Sequence, residues 1–108
     1  MQSAIGDTPL IKVKNINTGV CELFLKMENM NAGGSIKDRI ATSMIDAAEN
    51  DGKLKPGGTI IEATAGNTGI SLAQVGAQRG YKVIIVIPDK VSKEKVAHLK
   101  QFGAEVII

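Results

Sequence analysis

A lysine sits where a glycine-rich loop gives way to a helical pattern, in Asn31-Ala32-Gly33-Gly34-Ser35-Ile36-Lys37-Asp38-Arg39. Lys37 falls in the first turn of the expected helix, where the positive end of the helix dipole disfavours a cation. Schiff-base chemistry needs a neutral amine, so a lysine nucleophile gains from such a place. A solvated lysine at a frayed helix start has the same pattern, and position alone leaves both readings open.

A second segment, Glu62-Ala63-Thr64-Ala65-Gly66-Asn67-Thr68-Gly69, joins an expected strand to an expected helix. Glycines let backbone approach a ligand, and the free N–H groups of a helix start bind anions. Thr64, Asn67 and Thr68 add short polar side chains. This suits capture of a carboxylate or phosphate at the carboxyl end of a parallel strand. Glycine, asparagine and threonine are also ordinary turn and cap residues, so a turn with no ligand stays open too.

Other chemistries lack material. The chain has one cysteine and one histidine, Cys21 and His98, which excludes an intrachain disulfide, a multi-cysteine zinc site and a histidine pair, so no metal site is expected. Cys21 lies in the apolar stretch from Val20 to Leu25, where an inert buried thiol is expected. No G-x-G fingerprint and no Walker-type phosphate loop occurs. Ser92-Lys93-Glu94-Lys95 matches S-x-x-K but reads as a helix cap followed by a solvated face. The net charge of +2 and an aromatic fraction of 3% give neither a basic patch nor stacking platforms, so no nucleic-acid partner is expected.

The elements that must position these segments follow from period and punctuation. Leu10 to Val13 and Glu22 to Met27 read as short strands. Ile36, Ile40, Ala41, Met44, Ala47 and Ala48 recur at helical spacing, with Asp38, Arg39, Asp46 and Glu49 on the other face. Ser35 is the expected N-cap of that helix and Gly52 its stop. Beyond the turn at Lys55 to Gly58, Thr59 to Ala63 is a strand and Thr68 to Arg79 a helix closed by Gly80. Lys82 to Ile87 is a buried-type strand, Ser92 caps a third helix closed by Gly103, and Glu105 to Ile108 begins another strand.

The order from Ser35 onward is therefore α-β-α-β-α-β. It predicts an α/β fold of three layers, a mostly parallel sheet with helices on both faces. At 108 residues, 44% apolar and 22% charged, the chain holds one small soluble domain. The opening from Met1 to Asp7 carries no leader pattern, and the longest aliphatic run, Val83 to Ile87, is too short to span a bilayer, so a cytoplasmic protein without membrane contact is expected. The chain stops inside an apolar run, which reads as the N-terminal part of a longer protein.

Taken together, the two loop segments closely resemble the signature segments of the pyridoxal-phosphate enzymes of the cysteine synthase and cystathionine β-synthase family. Ile5-Gly6-Asp7-Thr8-Pro9-Leu10 looks like that family's I-G-x-T-P-L, and Lys82 to Pro88, with Asp89-Lys90-Val91-Ser92 and Leu99 to Glu105, resembles its next strand-helix-strand unit. The likeness covers essentially the whole chain and implies residues 1–108 of a fold type II enzyme.

What it implies can be carried over residue by residue. Lys37 matches the lysine that holds pyridoxal phosphate as an imine and moves the proton at the substrate α-carbon. Asn67 matches the asparagine that hydrogen-bonds the cofactor's ring hydroxyl. Thr64, Gly66, Asn67 and Thr68 match the loop that grips the amino-acid carboxylate. Ala65 departs from the family's usual serine and removes one hydroxyl donor, while the backbone donors remain.

The implied reaction is β-replacement on serine or O-acetylserine by a thiol or sulfide, giving cystathionine or cysteine, in a homodimer. Asn31 to Gly34 and Pro88 to Lys95 resemble cystathionine β-synthases more than cysteine synthases. The family's phosphate cradle and the partner of its pyridine nitrogen lie further along the chain, so this segment would hold part of a cofactor site and be inactive alone. A serine or threonine dehydratase of the same fold is the rival enzyme. A non-catalytic α/β interaction domain, with Lys37 and the Asn67 loop as mere helix caps, is the rival of another class.

Overall fold

A computed structural model of the chain describes residues 4–108. Met1 to Ser3, part of the opening read as free of a leader pattern, lie outside the described residues. The chain runs β1 (Leu10–Lys12), β2 (Phe24–Lys26), a 3-10 turn (Glu28–Met30), α1 (Lys37–Asn50), β3 (Thr59–Ala63), α2 (Asn67–Gln78), β4 (Lys82–Val86), α3 (Lys93–Gln101) and β5 (Glu105–Ile107).

β3, β4 and β5 form a sheet in that order, and both pairings are parallel, with Ile61 opposite Ile84 and Val86 opposite Ile107. Parallel neighbours need crossovers, which α2 and α3 provide. The α/β alternation expected from the sequence is thus present, with β3 at the expected residues. β1 and β2 pair antiparallel as a separate two-stranded arm, and all six residues of the two strands are exposed.

The alternation along β4 decides where the core lies. Val83, Ile85 and Ile87 are buried, together with Leu99 of α3 and Ile70, Leu72, Ala73 and Val75 of α2. Ile61 and Ile107 are exposed. α2 is buried continuously from Gly69 to Gly76 because it lies between the sheet and α1. Two glycines, Gly69 and Gly76, set how closely it lies against the sheet. A Cβ on Gly76 would come 2.5 Å from Val83 Cγ2, and one on Gly69 would come 2.7 Å from Thr64 Cγ2 and 3.2 Å from Ile85 Cγ2.

Helix stops follow the sequence. Gly52, Gly80 and Gly103 take positive φ of 72°, 82° and 87° just after α1, α2 and α3. Ser92 caps α3, its hydroxyl accepting from Lys95 N–H at 3.3 Å.

Three expectations fail. Cys21 is exposed, not buried, because β2 starts only at Phe24 and Cys21 belongs to the turn at the arm's tip, where its N–H bonds Thr18 O. Ser35 is not the N-cap of α1. Ile36 occupies that position without a side-chain cap, and the Ser35 hydroxyl accepts from Lys37 N–H at 3.2 Å.

The third failure concerns the rotation of α1. Its packed stripe is Asp38, Ala41 and Ile45, while Ile36, Ile40 and Met44 are exposed. Asp38, placed by its charge on the solvated face, is fully buried. The reason lies in α2, whose face toward α1 offers a hydroxyl to a carboxylate.

Candidate active site

The loop that delivers Lys37 is held by two buried polar side chains. Asn31 is 4% exposed. Its Oδ1 accepts from Gly6 N–H at 2.7 Å, and its Nδ2 donates to Glu28 O at 2.9 Å and to Ser35 O at 3.0 Å. Asp38 takes the other end. Its Oδ2 accepts from Gly33 N–H and its Oδ1 from the Ser71 hydroxyl, each at 2.5 Å. Asn31 thereby ties the loop to the N-terminal segment, and Asp38 ties it to α2.

Gly33 has to be glycine for a stated reason. A side chain there would overlap the Asp38 carboxylate and come 2.6 Å from Gln74 Oε1. Gln74 is 7% exposed and its Oε1 has no hydrogen-bond partner in the structure.

Lys37 is the first residue of α1 and is half-buried. Asn67 is the first residue of α2 and is exposed. Ser71 lies four residues after Asn67, hence on the same side of α2 one turn on. The Asp38–Ser71 bond therefore joins the first turn of α1 to the second turn of α2. Thr64 and Thr68 are half-buried, and Gly66 immediately precedes α2. Thr64 Oγ1 accepts from Gly66 N–H at 3.3 Å. No side chain caps α2; Gly69 N–H bonds Gly66 O at 3.2 Å, which leaves the Asn67 and Thr68 N–H groups to another acceptor.

This arrangement fits an anionic, amine-reactive cofactor. It has a half-buried lysine at the start of α1, an uncapped start of α2 one turn from the Asp38–Ser71 bond, and glycine and hydroxyl residues between strand and helix. A hollow on the arm side, about 420 Å³ and lined by Asp7, Lys26, Glu28, Ile36 and Arg39, includes none of these residues.

A sequence model of the pyridoxal-phosphate dependent enzymes matches residues 1–108. The chain belongs to this family. It is 57% identical over 108 residues to a cystathionine beta-synthase of Apis mellifera, covering 97% of this chain and 21% of the relative. It is 48% identical over 105 residues to a cysteine synthase of Staphylococcus aureus, covering 96% of this chain and 34% of the relative.

Among solved structures, an O-ureido-L-serine synthase superposes with a TM-score of 0.95 at 39% identity, covering 99% of this chain and 35% of that one. A hydrogen sulfide-producing enzyme from Fusobacterium nucleatum superposes with a TM-score of 0.94 at 48% identity, covering 96% and 34%. The chain thus spans about a fifth to a third of the length of the relatives it matches. No helix among the described residues is long and apolar enough to cross a membrane.

Sequence reasoning missed Asp38, Ser71, Gln74 and Glu28. A signal existed for Asp38, which stands three and seven residues before Ala41 and Ile45, on one helical stripe. Ser71 and Gln74 interrupt an otherwise apolar helix, and polar residues there imply buried partners.

Proposed function

We propose that this chain is the N-terminal part, residues 1–108, of a cytoplasmic, homodimeric pyridoxal-phosphate enzyme. The reaction is β-replacement, in which a thiol or sulfide takes the place of the β-substituent of serine or O-acetylserine. The observation that carries this reading is the Asp38–Ser71 bond, which joins the first turn of α1, where Lys37 is half-buried, to α2 one turn past its uncapped start. The family match and the relatives named cystathionine beta-synthase and cysteine synthase support it.

Bound pyridoxal phosphate supplies an electron sink for charge developing at the substrate α-carbon. In this reading the Lys37 amine holds the cofactor and moves the proton at that carbon. The Asn67 carboxamide orients the ring by a hydrogen bond. The first N–H groups of α2, with Thr64, Gly66 and Thr68, bind the substrate carboxylate, as helix starts bind anions. Ala65 offers no hydroxyl, so the backbone and the two threonines carry that grip.

The higher identity to the cystathionine beta-synthase, 57% against 48%, favours serine with a thiol over O-acetylserine with sulfide. The test uses the full-length protein that carries this segment, reduced with borohydride in the presence of pyridoxal phosphate. Mass mapping is expected to find the label on Lys37, and turnover of serine with a thiol is expected to vanish in Lys37→Ala. A label confined to other lysines, or a Lys37→Ala protein that keeps its rate, overturns the reading. Elimination from serine with no thiol incorporated moves the assignment to the dehydratase rival.

A further inference from the structure

We propose that Asp38 is a positioning residue for the Lys37 amine, acting through its buried bonds to Gly33 and Ser71; this rests on the reading of Lys37 given above. Asp38 touches neither cofactor nor substrate in that reading. Its carboxylate is fully buried and accepts from a backbone N–H on one oxygen and a hydroxyl on the other, at 2.5 Å each.

Three pieces of chain converge on this group. Gly33 belongs to the loop that leads into α1, Asp38 to the first turn of α1, and Ser71 to the second turn of α2. Ser71 is itself fully buried. Such a carboxylate does not need to be there for packing. An apolar residue would fill the stripe beside Ala41 and Ile45, but would leave the Gly33 N–H and the Ser71 hydroxyl without this acceptor. What the carboxylate adds is direction: the Ser71 bond on one oxygen sets the roll of α1 against α2, and the Gly33 bond on the other holds the loop that leads into α1.

Lys37 is the neighbouring residue, turned about 100° from Asp38 around the helix. Its backbone N–H is taken by the Ser35 hydroxyl at 3.2 Å, within the loop that Gly33 and Asn31 anchor. With Ile36 giving no side-chain cap, Asp38 supplies the tie from this helix start to α2, and Arg39 the tie to Glu28. Ser71 stands one turn below Asn67, so the roll set by the Asp38–Ser71 bond sets the placement of the Lys37 amine relative to the Asn67 loop.

Three variants of the full-length protein, freed of cofactor, test the idea. Asp38→Asn leaves one acceptor where the carboxylate has two, so its amide oxygen can serve Gly33 N–H or the Ser71 hydroxyl but not both. Ser71→Ala removes the hydroxyl and leaves the Gly33 bond. Ile45→Ala opens a cavity on the same stripe, two turns away, and lowers stability without touching either bond. The readout is the rate at which added pyridoxal phosphate becomes fixed to Lys37 on borohydride reduction, relative to the exposed Lys82, well below each variant's Tm.

A loss of about ten-fold is expected in Asp38→Asn and in Ser71→Ala, with Ile45→Ala within about two-fold of the parent, since misplacement of a reacting group by an ångström is costly. Should Asp38→Asn fail to fold, Ser71→Ala decides. Parental rates in the variants that fold, or an equal loss in Ile45→Ala, overturn the inference and leave the function reading intact. A parent protein that is not labelled at Lys37 overturns both.

Discussion

Two carboxylates hold the approach to Lys37 from opposite sides, and they do so by different physics. Asp38 is fully buried and is bonded by uncharged donors, Gly33 N–H and the Ser71 hydroxyl. Glu28 lies at the base of the exposed arm, its side chain 17% exposed, and is held by the Arg39 guanidinium through Nε at 2.5 Å and by the Thr8 hydroxyl. The first depends on geometry in a dry interior, where an unpartnered group is expensive. The second depends on charge near water, where solvent and salt compete. The junction between α1 and α2 is therefore the rigid side of the site, and the arm is the side that conditions can loosen.

The sharpest way to break the comparison is Asp38→Ala. It strands two donors in a buried space, each left unpaired at a cost of about 1–3 kcal/mol. Denaturant unfolding of the full-length protein is expected to show the largest loss of any single change discussed here. The loss should be nearly independent of salt. A loss that shrinks in about 1 M salt would place Asp38 in the same class as Glu28.

Next in size is Gly76→Ala, which tests the sheet-facing side of α2, the helix that meets Asp38 through Ser71. Its new Cβ would sit 2.5 Å from Val83 Cγ2 and 3.3 Å from Ile60 Cδ1, so α2 must lift from the sheet or β4 must shift. Overpacking of this kind costs about 1–3 kcal/mol. The readout is the unfolding midpoint, together with the Lys37 labelling rate. If α2 is the rigid reference for Lys37, Gly76→Ala lowers both; a stability loss with no change in labelling would show that the roll of α1 is buffered against movements of α2.

The same contrast explains what was legible in the sequence. Strand and helix order from Thr59 onward was readable because each element is bounded by its own signal, such as Gly80 after α2 or Ser92 before α3. The two loops of the candidate site were readable because Lys37 and Asn67 fall at helix starts that local pattern marks. The rotation of α1 was not. Charge put Asp38 outside and size put Ile40 and Met44 inside, yet the partner that reverses this, Ser71, is 33 residues away. No local window contains both. The exposure of Cys21 was missed for a related reason, since an apolar stretch looks alike in a core and at the tip of a paired arm.

The smallest expected effect, and the one that tests the arm, is that of Glu28→Gln. Hydrogen bonding from Arg39 first, then from Thr8, lowers the Glu28 carboxyl from 4.5 to about 2, and the Arg39 guanidinium is raised in turn by the same bond. A folded-state value below the unfolded one means that the charged form is favoured by folding. The contribution is fully present above about 4.5 and is lost as pH falls from there toward about 2. The Tm gap between the parent protein and Glu28→Gln should accordingly be constant near neutral pH and close steadily below 4.5. It should also narrow with added salt, because Arg39 keeps 42% of its side chain exposed. Asp38→Ala must keep its full deficit through the same salt titration. If the Glu28 gap stays flat as pH falls, then Thr8 and Asn31, not charge, hold the arm, and both sides of the Lys37 approach rest on buried geometry alone.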